Sequence, residues 1–464
     1  MPCFFLSCPA AKWYNGCKVE RKGKTPYNSE EKRMRNTPIL TILACLSITV
    51  NVAIAETWPQ MQKLLASDGS TKDYFGTSVA ISGNYAIVGA YQDDDPVPGS
   101  GSAYIFYRDG TNWTQQAKLT ASDGVANSYF GTSVAISGPI AIVGAYGDDD
   151  NGELSGSAYI FYWDGTTWSQ QTKLLASDGA DHDRFGASVA IDDHYAIVGA
   201  IGESTHGAVS GAAYIFVRGF TGWKQQAKLL ASDGTAGDKF GNSVSISGDY
   251  AIVGAYWDND LGNYSGSAYV FKRNDTTWAL MEKFLAPDGA YDDWFGTSVS
   301  ISGDYAIVGA SYDDDLGESS GSAYLFKRSG KTWNLQQKLT PSNGDAGAVF
   351  GVSVALSGDC AAVGAVGDDN KGSVYIFKTN GATWTQQTKL SSLDSVDGDQ
   401  FAYSVALSGD FVLAGAYGDD DNGSDSGSAY LFGFTPDADL NDDFKVDMAD
   451  FAEFARWWLF ETGQ

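Results

Sequence analysis

The chain has 464 residues, with 30 Lys and Arg against 57 Asp and Glu and a formal net charge of −27. A surface this acidic repels phosphate groups, and the sequence contains no basic stripe, so a nucleic-acid partner is excluded. The 55 glycines, 13% aromatic residues and only 11 prolines are typical of a turn-rich, strand-rich folded chain rather than a disordered one.

The N-terminal region predicts export. An apolar run over residues 37–55 follows a basic residue and ends in Ala53-Ile-Ala55, which offers the small residues of a signal-peptidase site. We therefore expect a signal peptide over residues 34–55 with cleavage after Ala55. The mature protein is then secreted or held at the cell surface, with no integral membrane span after cleavage.

Residues 1–33 lie upstream of this complete signal and are interpreted as an extension that a misassigned start would explain. The alternative for the apolar run is an uncleaved signal anchor. The run is short for a membrane span and is interrupted by Asn51, which favours cleavage.

A Phe-Gly pair recurs along the chain at a constant spacing. Six pairs are 55 residues apart, and a seventh copy, Phe-Ala, follows 51 residues after the sixth. A period of this length is the signature of a repeat architecture, and seven units predict a closed or stacked array. The copies begin at Phe75, Phe130, Phe185, Phe240, Phe295, Phe350 and Phe401.

Each unit contains four short apolar runs separated by turn residues. The runs are rich in β-branched and aromatic residues and are too short for helices, which predicts strands joined as hairpins. Four antiparallel strands per unit, repeated seven times, predict an all-β, seven-bladed β-propeller over residues 56–434. In the second unit the runs begin at Phe130, Ala141, Ser157 and Trp168.

The two ends of the array predict how the ring closes. A Trp-containing run over residues 57–65 precedes the first Phe-Gly unit, whereas the last unit stops after residues 428–432 and lacks a fourth strand. Residues 57–65 are therefore expected to form the outermost strand of the last blade. This pairing would remove two exposed strand edges.

Three segments of the first unit resemble FG-GAP repeats, the units of the integrin α-subunit propeller and of many exported bacterial proteins. They are Phe75-Gly-Thr-Ser-Val, Ala86-Ile-Val-Gly-Ala90 and Gly101-Ser-Ala-Tyr-Ile-Phe106. The resemblance covers nearly all of residues 57–433 and implies a seven-bladed propeller used for adhesion or ligand binding. For the integrin-like members it also implies calcium in hairpin loops. Here their D-x-D-x-D-G loop is replaced by a short Ser-Gly-Asp turn, so calcium is not predicted at that place.

Antiparallel connectivity places the loops between second and third strands, and the links between units, on one strongly acidic face. Clustered carboxylates beside Asn and Gly suit a hard cation, so calcium at these loops is one interpretation. The other, which the irregular donor spacing favours, is that Asp residues accept hydrogen bonds from their own backbone and solubilise the rim. The candidate calcium ligands are Asp93, Asp95, Asp148, Asp150, Asp258, Asp260, Asp313, Asp315, Asp419 and Asp421.

Two tryptophans, Trp257 and Trp294, lie in loops of the acidic face outside the repeat pattern and are candidates for ligand contact. Six others recur at the start of each outer strand. Regular placement favours a role in blade packing over a sugar-stacking platform. The recurring residues are Trp113, Trp168, Trp223, Trp278, Trp333 and Trp384.

All three histidines lie in the third unit. His182 and His206 fall on the acidic face with Glu203, where they could bind a transition metal or a ligand, or act in acid–base chemistry. Drift of a single unit is the favoured explanation. The sequence contains no nucleophile elbow, zincin helix or phosphate loop, so a non-catalytic protein is predicted.

The repeat ends after residue 434, and a second module is predicted over residues 435–464. Oxygen donors fall at positions 1, 3, 5, 7, 9 and 12 of a twelve-residue stretch, which is EF-hand spacing, and a helix is expected to follow. The predicted calcium ligands are Asp439, Asn441, Asp443, the Lys445 carbonyl, Asp447 and Asp450.

This segment resembles half of a type I dockerin, the module that attaches exported bacterial proteins to cohesin partners. The resemblance implies calcium binding and a cohesin-like partner. The segment departs from the family because position 6 is Phe444 rather than Gly, position 12 is Asp450 rather than Glu, and the second loop–helix copy is absent. An acidic tail with a short amphipathic helix is the alternative.

These patterns together predict an exported, non-catalytic propeller that binds an extracellular protein or carbohydrate and is tethered by a calcium-binding tail. The first alternative is a propeller enzyme, a hydrolase or lyase, that acts on extracellular polysaccharide. The second is a structural component of the cell envelope.

Overall fold

The computed structural model describes residues 57–434. The predicted extension (residues 1–33), signal peptide (34–55) and C-terminal module (435–464) lie outside the described residues. Within residues 57–434 the chain forms strands joined by turns and loops, with one three-residue 3-10 turn, Asp368–Asn370. No helix in this part of the chain has the length and apolar character needed to span a membrane.

The strands follow the repeat closely, because each begins at a β-branched or aromatic run and ends at a Gly-, Asp- or Asn-rich turn. In chain order they are β1 (Gln60–Leu64), β2 (Phe75–Ser82), β3 (Tyr85–Ala90), β4 (Ser102–Asp109), β5 (Asn112–Leu119), β6 (Phe130–Ser137), β7 (Ile140–Ala145), β8 (Ser157–Trp163), β9 (Trp168–Leu174), β10 (Phe185–Asp192), β11 (Tyr195–Ala200), β12 (Ala212–Gly219), β13 (Gly222–Leu229), β14 (Val244–Ser247), β15 (Tyr250–Ala255), β16 (Ser267–Asn274), β17 (Thr277–Phe284), β18 (Phe295–Ser302), β19 (Tyr305–Ala310), β20 (Ser322–Ser329), β21 (Thr332–Leu339), β22 (Phe350–Ser357), β23 (Cys360–Ala365), β24 (Ser373–Thr379), β25 (Trp384–Leu390), β26 (Phe401–Ser408), β27 (Phe411–Ala416) and β28 (Ser428–Gly433).

The strands form seven antiparallel sheets of four, so the predicted all-β, seven-bladed propeller is confirmed. Six blades use four consecutive strands, beginning with β2 to β5 in blade 1. The seventh has the order β1-β28-β27-β26. In it Lys63 lies opposite Tyr430 and Leu64 opposite Ala429. The N-terminal strand therefore completes the last blade and covers the edge of β28, as the strand count predicts.

The Phe-Gly strands surround the propeller axis. The first strand of each blade contacts the first strands of both neighbours, as β2 does with β6 and β26. The fourth strands, which carry the recurring tryptophans, form the outer rim. Loops between second and third strands and links between blades lie on one face, and the tight turns lie on the other.

The Phe-Gly pair holds neighbouring blades together. Phe75 is fully buried, packs with Leu431 of blade 7, and makes an edge-to-face contact with Tyr104 at 5.5 Å between ring centroids. Gly76 has φ of +95°, and a Cβ there would lie 2.2 Å from the carbonyl oxygen of Ser428. Only glycine permits this approach of one backbone to the next, so the pair is structural, as predicted.

The rim tryptophans pack between blades, which confirms their predicted structural role. Five of the six contact an aromatic ring at the start of the second strand of the preceding blade, with ring centroids 5.3 to 6.1 Å apart. The pairs are Trp113–Phe411, Trp168–Tyr85, Trp278–Tyr195, Trp333–Tyr250 and Trp384–Tyr305.

Candidate binding face

The acidic loops are fastened from within each blade by a tyrosine. In blade 4 the hydroxyl of Tyr269, on the third strand, hydrogen-bonds Asp258 in the loop at 2.8 Å and Asp233 in the preceding link at 2.8 Å. Asp258 is only 5% exposed and also accepts the hydroxyl of Ser267. The loop and the link are therefore tied together at one buried carboxylate.

A lysine neutralises this carboxylate. The ammonium group of Lys283, on the fourth strand, lies 2.9 Å from Asp258, 2.8 Å from Asp233 and 2.7 Å from Asp260. One cation thus bridges three carboxylates that converge from two chain segments. We call this lysine, its tyrosine and the acids they bind the lysine node.

The lysine node recurs in all seven blades. The distance from the lysine nitrogen to the buried carboxylate is 2.7 to 2.9 Å in every copy. Glu203 replaces the buried Asp in blade 3. In blade 6, Asn343 replaces the link acid and accepts the tyrosine hydroxyl. The seven lysines are Lys63, Lys118, Lys173, Lys228, Lys283, Lys338 and Lys389.

The node favours the charged forms of Lys283 and Asp233. Burial disfavours the charged form of Lys283, but its hydrogen bonds to Asp233, Asp260 and Asp258 outweigh burial and raise its pKa well above the ordinary value. For Asp233, burial opposes ionisation as well, and the hydrogen bonds from Lys283 and Tyr269 lower its pKa. Burial next to these carboxylates raises the pKa of Tyr269, which stays a hydrogen-bond donor.

The node determines how the acidic loops fit calcium. Each of the ten candidate loop ligands, the first and third acids of five triplets, forms an ion pair with the lysine of its own blade. Calcium takes six to eight oxygen ligands. In this arrangement a resident calcium ion would have to displace the ammonium group, so these residues do not offer it a free ligand set.

The middle member of the triplets has a backbone role. Asp149 accepts the N–H of Leu154 at 2.7 Å, and Asp94 accepts that of Gly99 at 2.8 Å. The first member also accepts the N–H of the third, as Asp93 does from Asp95 at 2.8 Å. Hydrogen bonding of Asp to its own loop, the favoured interpretation of the sequence, is present here together with the lysine.

The sequence analysis missed the lysines although their signal is regular. A lysine precedes the last buried apolar residue of every outer strand, with the same period as the Phe-Gly pair. A cation retained in seven repeats that place acids on one face indicates a paired role. The tyrosine in the third strand recurs in the same way, from Tyr104 to Tyr430.

A second series of acids lies beneath the same face, two residues before the Phe-Gly strand. Asp293 is 5% exposed and accepts the N–H of Ala290 at 2.6 Å. Burial, together with repulsion from Asp313, raises the pKa of Asp293 to about 6. The other members, whose pKa is raised for the same main reason, are Asp73, Asp183, Asp238 and Asp399.

The axial mouth is the centre of the acidic face, formed by the residues just before each first strand and just after each second strand. All seven residues before the Phe-Gly strand are held in the left-handed region, with φ between +54° and +58°. This conformation costs a non-glycine residue about 1–2 kcal/mol. These residues are Tyr74, Tyr129, Arg184, Lys239, Trp294, Val349 and Gln400.

Aromatic rings form a continuous arc along part of the axial mouth, across blades 7, 1 and 2. Tyr74 stacks on Tyr91 with centroids 5.6 Å apart and meets Tyr417 of blade 7 edge-on at 5.8 Å. Tyr91 contacts Tyr129 of blade 2 at 5.9 Å. The arc ends at Tyr146 and Tyr403. None of these tyrosines belongs to a lysine node.

Trp257 and Trp294 belong to a second arc, in blades 4 and 5. Tyr256 lies between them, with centroids 5.4 Å from Trp257 and 5.3 Å from Trp294. The ammonium group of Lys239 is 3.1 Å from the centroid of Trp257 and donates to the Tyr256 hydroxyl at 2.9 Å. Burial and the nearby Arg184 lower the pKa of Lys239. The structure thus brings both predicted tryptophans together at the axial mouth.

The third-unit candidates have separate surroundings. Glu203 is 7% exposed and is bound by Lys228 and Thr205, whereas His182 and His206 are exposed loop residues. The three do not form a cluster of metal-donor atoms. Within residues 57–434 the one group of three acidic, His or Cys donors within 4.8 Å is Asp345, Asp368 and Asp369. Lys389 already pairs with two of these acids.

The predicted C-terminal calcium ligands fall outside the described residues. They are Asp439, Asn441, Asp443, Lys445, Asp447 and Asp450.

The family model of the FG-GAP repeat matches this chain seven times, over residues 58–106, 113–161, 168–216, 223–271, 278–326, 333–377 and 384–432. The matches cover most of the chain, which therefore belongs to the FG-GAP repeat family. Each match begins at the outer strand of one blade and ends at the third strand of the next, so the sequence repeat joins neighbouring blades. No curated protein matches the chain.

Replacing the node lysine Lys283 with methionine is expected to destabilise the propeller by about 3–5 kcal/mol, because a buried carboxylate loses its partner. Guanidinium denaturation measures this change. Lys224→Met is the matched control, since Lys224 is an exposed lysine of the rim, and it should change stability by less than about 0.5 kcal/mol. Equal effects of the two substitutions would contradict a structural role for the node.

Asp293→Asn is expected to stabilise the protein by about 2 kcal/mol near pH 7. The pKa of Asp293 is about 6 in the folded protein, above its unfolded value, so the native state takes up the proton first. As the pH falls through 6, protonation of Asp293 therefore stabilises the folded wild-type protein. The Asn variant has no carboxylate at this position and is not stabilised in this way. Thermal unfolding should show the advantage of the variant shrinking as the pH falls below 6 and disappearing at about pH 4, near the ordinary pKa of an aspartate.

The matched control for this pH series is Asp109→Asn, which changes an exposed carboxylate at the end of β4 in blade 1. It should leave the pH dependence unaltered. Ser128 and Ala348 occupy the position of Asp293 in blades 2 and 6, so the fold accepts an uncharged residue there. A stability difference that stays constant from neutral to acidic pH would show that Asp293 titrates normally.

Proposed function

We propose that this protein is an exported, non-catalytic binding or adhesion propeller that engages an extracellular protein or carbohydrate at the axial mouth. Membership of the FG-GAP repeat family and the seven-bladed fold fit a propeller of the binding type. The observation that carries the choice of site is the pair of cross-blade aromatic arcs at the axial mouth. The arcs place amphipathic rings where seven blades converge, which is a common position for ligands of closed repeat folds.

The chemistry of the acidic face favours the axial mouth, rather than the surrounding loops, as the ligand-binding site. The loop acids are engaged by lysines and backbone N–H groups, so the loops act mainly as structure. At the axial mouth the residues differ from blade to blade, from Tyr74 to Val349, although their backbone is the same. Side chains that vary on a constant frame are the usual source of binding specificity.

Binding is favoured over catalysis by the pattern of the acids. Asp293, whose pKa burial raises to about 6, belongs to a series of buried acids that recurs in five blades. An acid that recurs at the same position in several blades is better explained by a structural role in each blade than by catalysis at a single site. A glycoside hydrolase would typically need two carboxylates open to a shared substrate position.

The proposal includes export and a tether. The signal-like segment over residues 34–55 supports secretion or surface display, and the EF-hand spacing from Asp439 to Asp450 supports one calcium site and a cohesin-like partner. Calcium in this proposal belongs to the C-terminal loop. The acids of the propeller face use lysine as their cation.

Trp294→Ala is expected to weaken ligand binding at least tenfold, because aromatic anchors dominate binding energy at such sites. The test is a panel of immobilised extracellular polysaccharides and proteins probed with the mature chain, followed by affinity measurement on each hit. Tyr291→Ala is the matched control, since Tyr291 is an exposed aromatic residue only three positions away. Undiminished binding by the Trp294 variant to every hit would rule out the axial mouth as the binding site.

A further inference from the structure

A cleft of about 240 Å³ opens at the rim between blades 2 and 3, on the side of the tight turns. It is lined by residues of both blades, and it lies on the opposite face from the axial mouth and the lysine nodes. Its principal lining residues are Ile140, Tyr162, Gln171, Arg218, Phe220 and Trp223.

The cleft exists because one residue departs from the repeat. Ile140 begins the second strand of blade 2, at the position that carries an aromatic residue in five other blades. In those blades the ring packs against the rim tryptophan of the next blade, as Tyr195 does with Trp278 at 6.1 Å. Trp223 faces Ile140 instead, and among the described residues it has no aromatic partner. The missing ring leaves the space that forms the cleft.

Trp223 has also lost its polar partner. In three other blade pairs the indole N–H donates to a glutamine of the preceding blade, as Trp278 does to Gln226 at 2.9 Å. The glutamine equivalent to Gln226 is Gln171, which is exposed and donates to Ser169 in its own strand. The ring of Trp223 and the amide oxygen of Gln171 are therefore available in the cleft.

Blade 3 also departs from the other blades in the surroundings of an arginine, Arg218. Arg273 and Arg328, at the position of Arg218 in other blades, are half-buried and pair with the acids Asp249 and Asp304 of the neighbouring turn. In blade 3 that turn residue is His194, which pairs with Asp193. Arg218 is exposed, lies 5.3 Å from the ring of Tyr162, and makes no ion pair within residues 57–434.

The turn beside the cleft presents another ring. Phe220 lies between β12 and β13 and is completely exposed, whereas the equivalent turns of the other blades carry small or polar residues. An isolated exposed phenylalanine is ordinary. Here it stands at the edge of a cleft that already contains a half-buried tryptophan and an unpaired guanidinium group.

We propose that this cleft is a second binding site, and that its ligand is a single acidic sugar unit of an extracellular glycan. The faces of Trp223 and Phe220 suit the apolar face of a sugar ring. Arg218 supplies the bidentate, charge-assisted contact that a sugar carboxylate requires. Gln171 and Thr172 offer hydrogen bonds to hydroxyl groups.

The size and place of the cleft agree with this ligand. A volume of about 240 Å³ is below that of sites for drug-sized molecules, roughly 300–1,000 Å³, and is suited to one ring rather than to a folded chain. The strongly acidic face lies on the other side of the disc. An anion can therefore approach Arg218 without crossing the cluster of Asp residues, whose repulsion solvent ions screen over about 8–10 Å.

The test uses the mature chain and calorimetric titration with oligogalacturonate, oligoalginate and sulfated glycan fragments, beside an uncharged galacto-oligosaccharide of matched length. We expect binding of a uronic-acid oligosaccharide and none of the uncharged one. Arg218→Gln should weaken binding at least about tenfold, and Arg273→Gln, the same change one blade further on, should leave it unchanged.

Ile140→Tyr separates binding from folding. This substitution restores the ring of the other blades, so it should fill the cleft, keep or raise the melting temperature, and abolish binding. Trp294→Ala should leave binding at the cleft unaffected, which distinguishes it from the axial mouth. The inference is overturned if no acidic saccharide binds, if the uncharged saccharide binds equally, or if Ile140→Tyr retains binding.

Discussion

A buried carboxylate paired with a lysine and a tyrosine is the interaction on which each blade depends. In blade 4, Asp258 belongs to the loop, Tyr269 to the third strand and Lys283 to the fourth strand. Lys283 also forms an ion pair with an acid of the preceding link. The node therefore ties the loop, the two strands and the link of a blade together. In blade 7 its lysine is Lys63, on β1, so the same ion pair that fastens a loop elsewhere also helps to close the ring.

This arrangement explains how a chain of net charge −27 can place most of its loop acids on one face. Each node gathers up to three carboxylates around one cation in a half-buried setting, where pairing offsets the cost of burial. Several of the loop acids also accept backbone N–H groups of their own loops. Within residues 57–434 two places differ from this pattern, the aromatic axial mouth and the cleft beside Trp223.

Much of this architecture can be predicted from the sequence, because the period of the Phe-Gly pair and the four short runs per unit report local structure. The count of strands also predicts the place of β1. The nodes are harder to predict, since Lys283, Asp233 and Asp258 meet only after the blade has folded. Trp257 and Trp294 can be picked out in the sequence because they break the repeat. The effect of Ile140 depends on its contact with Trp223, which lies more than 80 residues further along the chain. Contacts between blades carry little signal in a single sequence.

In each node a lysine serves as the cation of the acidic face. A crystal structure of the mature protein grown in millimolar calcium, with anomalous diffraction data, would show whether lysine or calcium occupies this position. We expect the seven lysine nitrogens to lie among their carboxylates, with no anomalous peak at the loop triplets of the propeller. Calcium peaks between Asp258 and Asp260, with Lys283 turned out to solvent, would contradict this expectation.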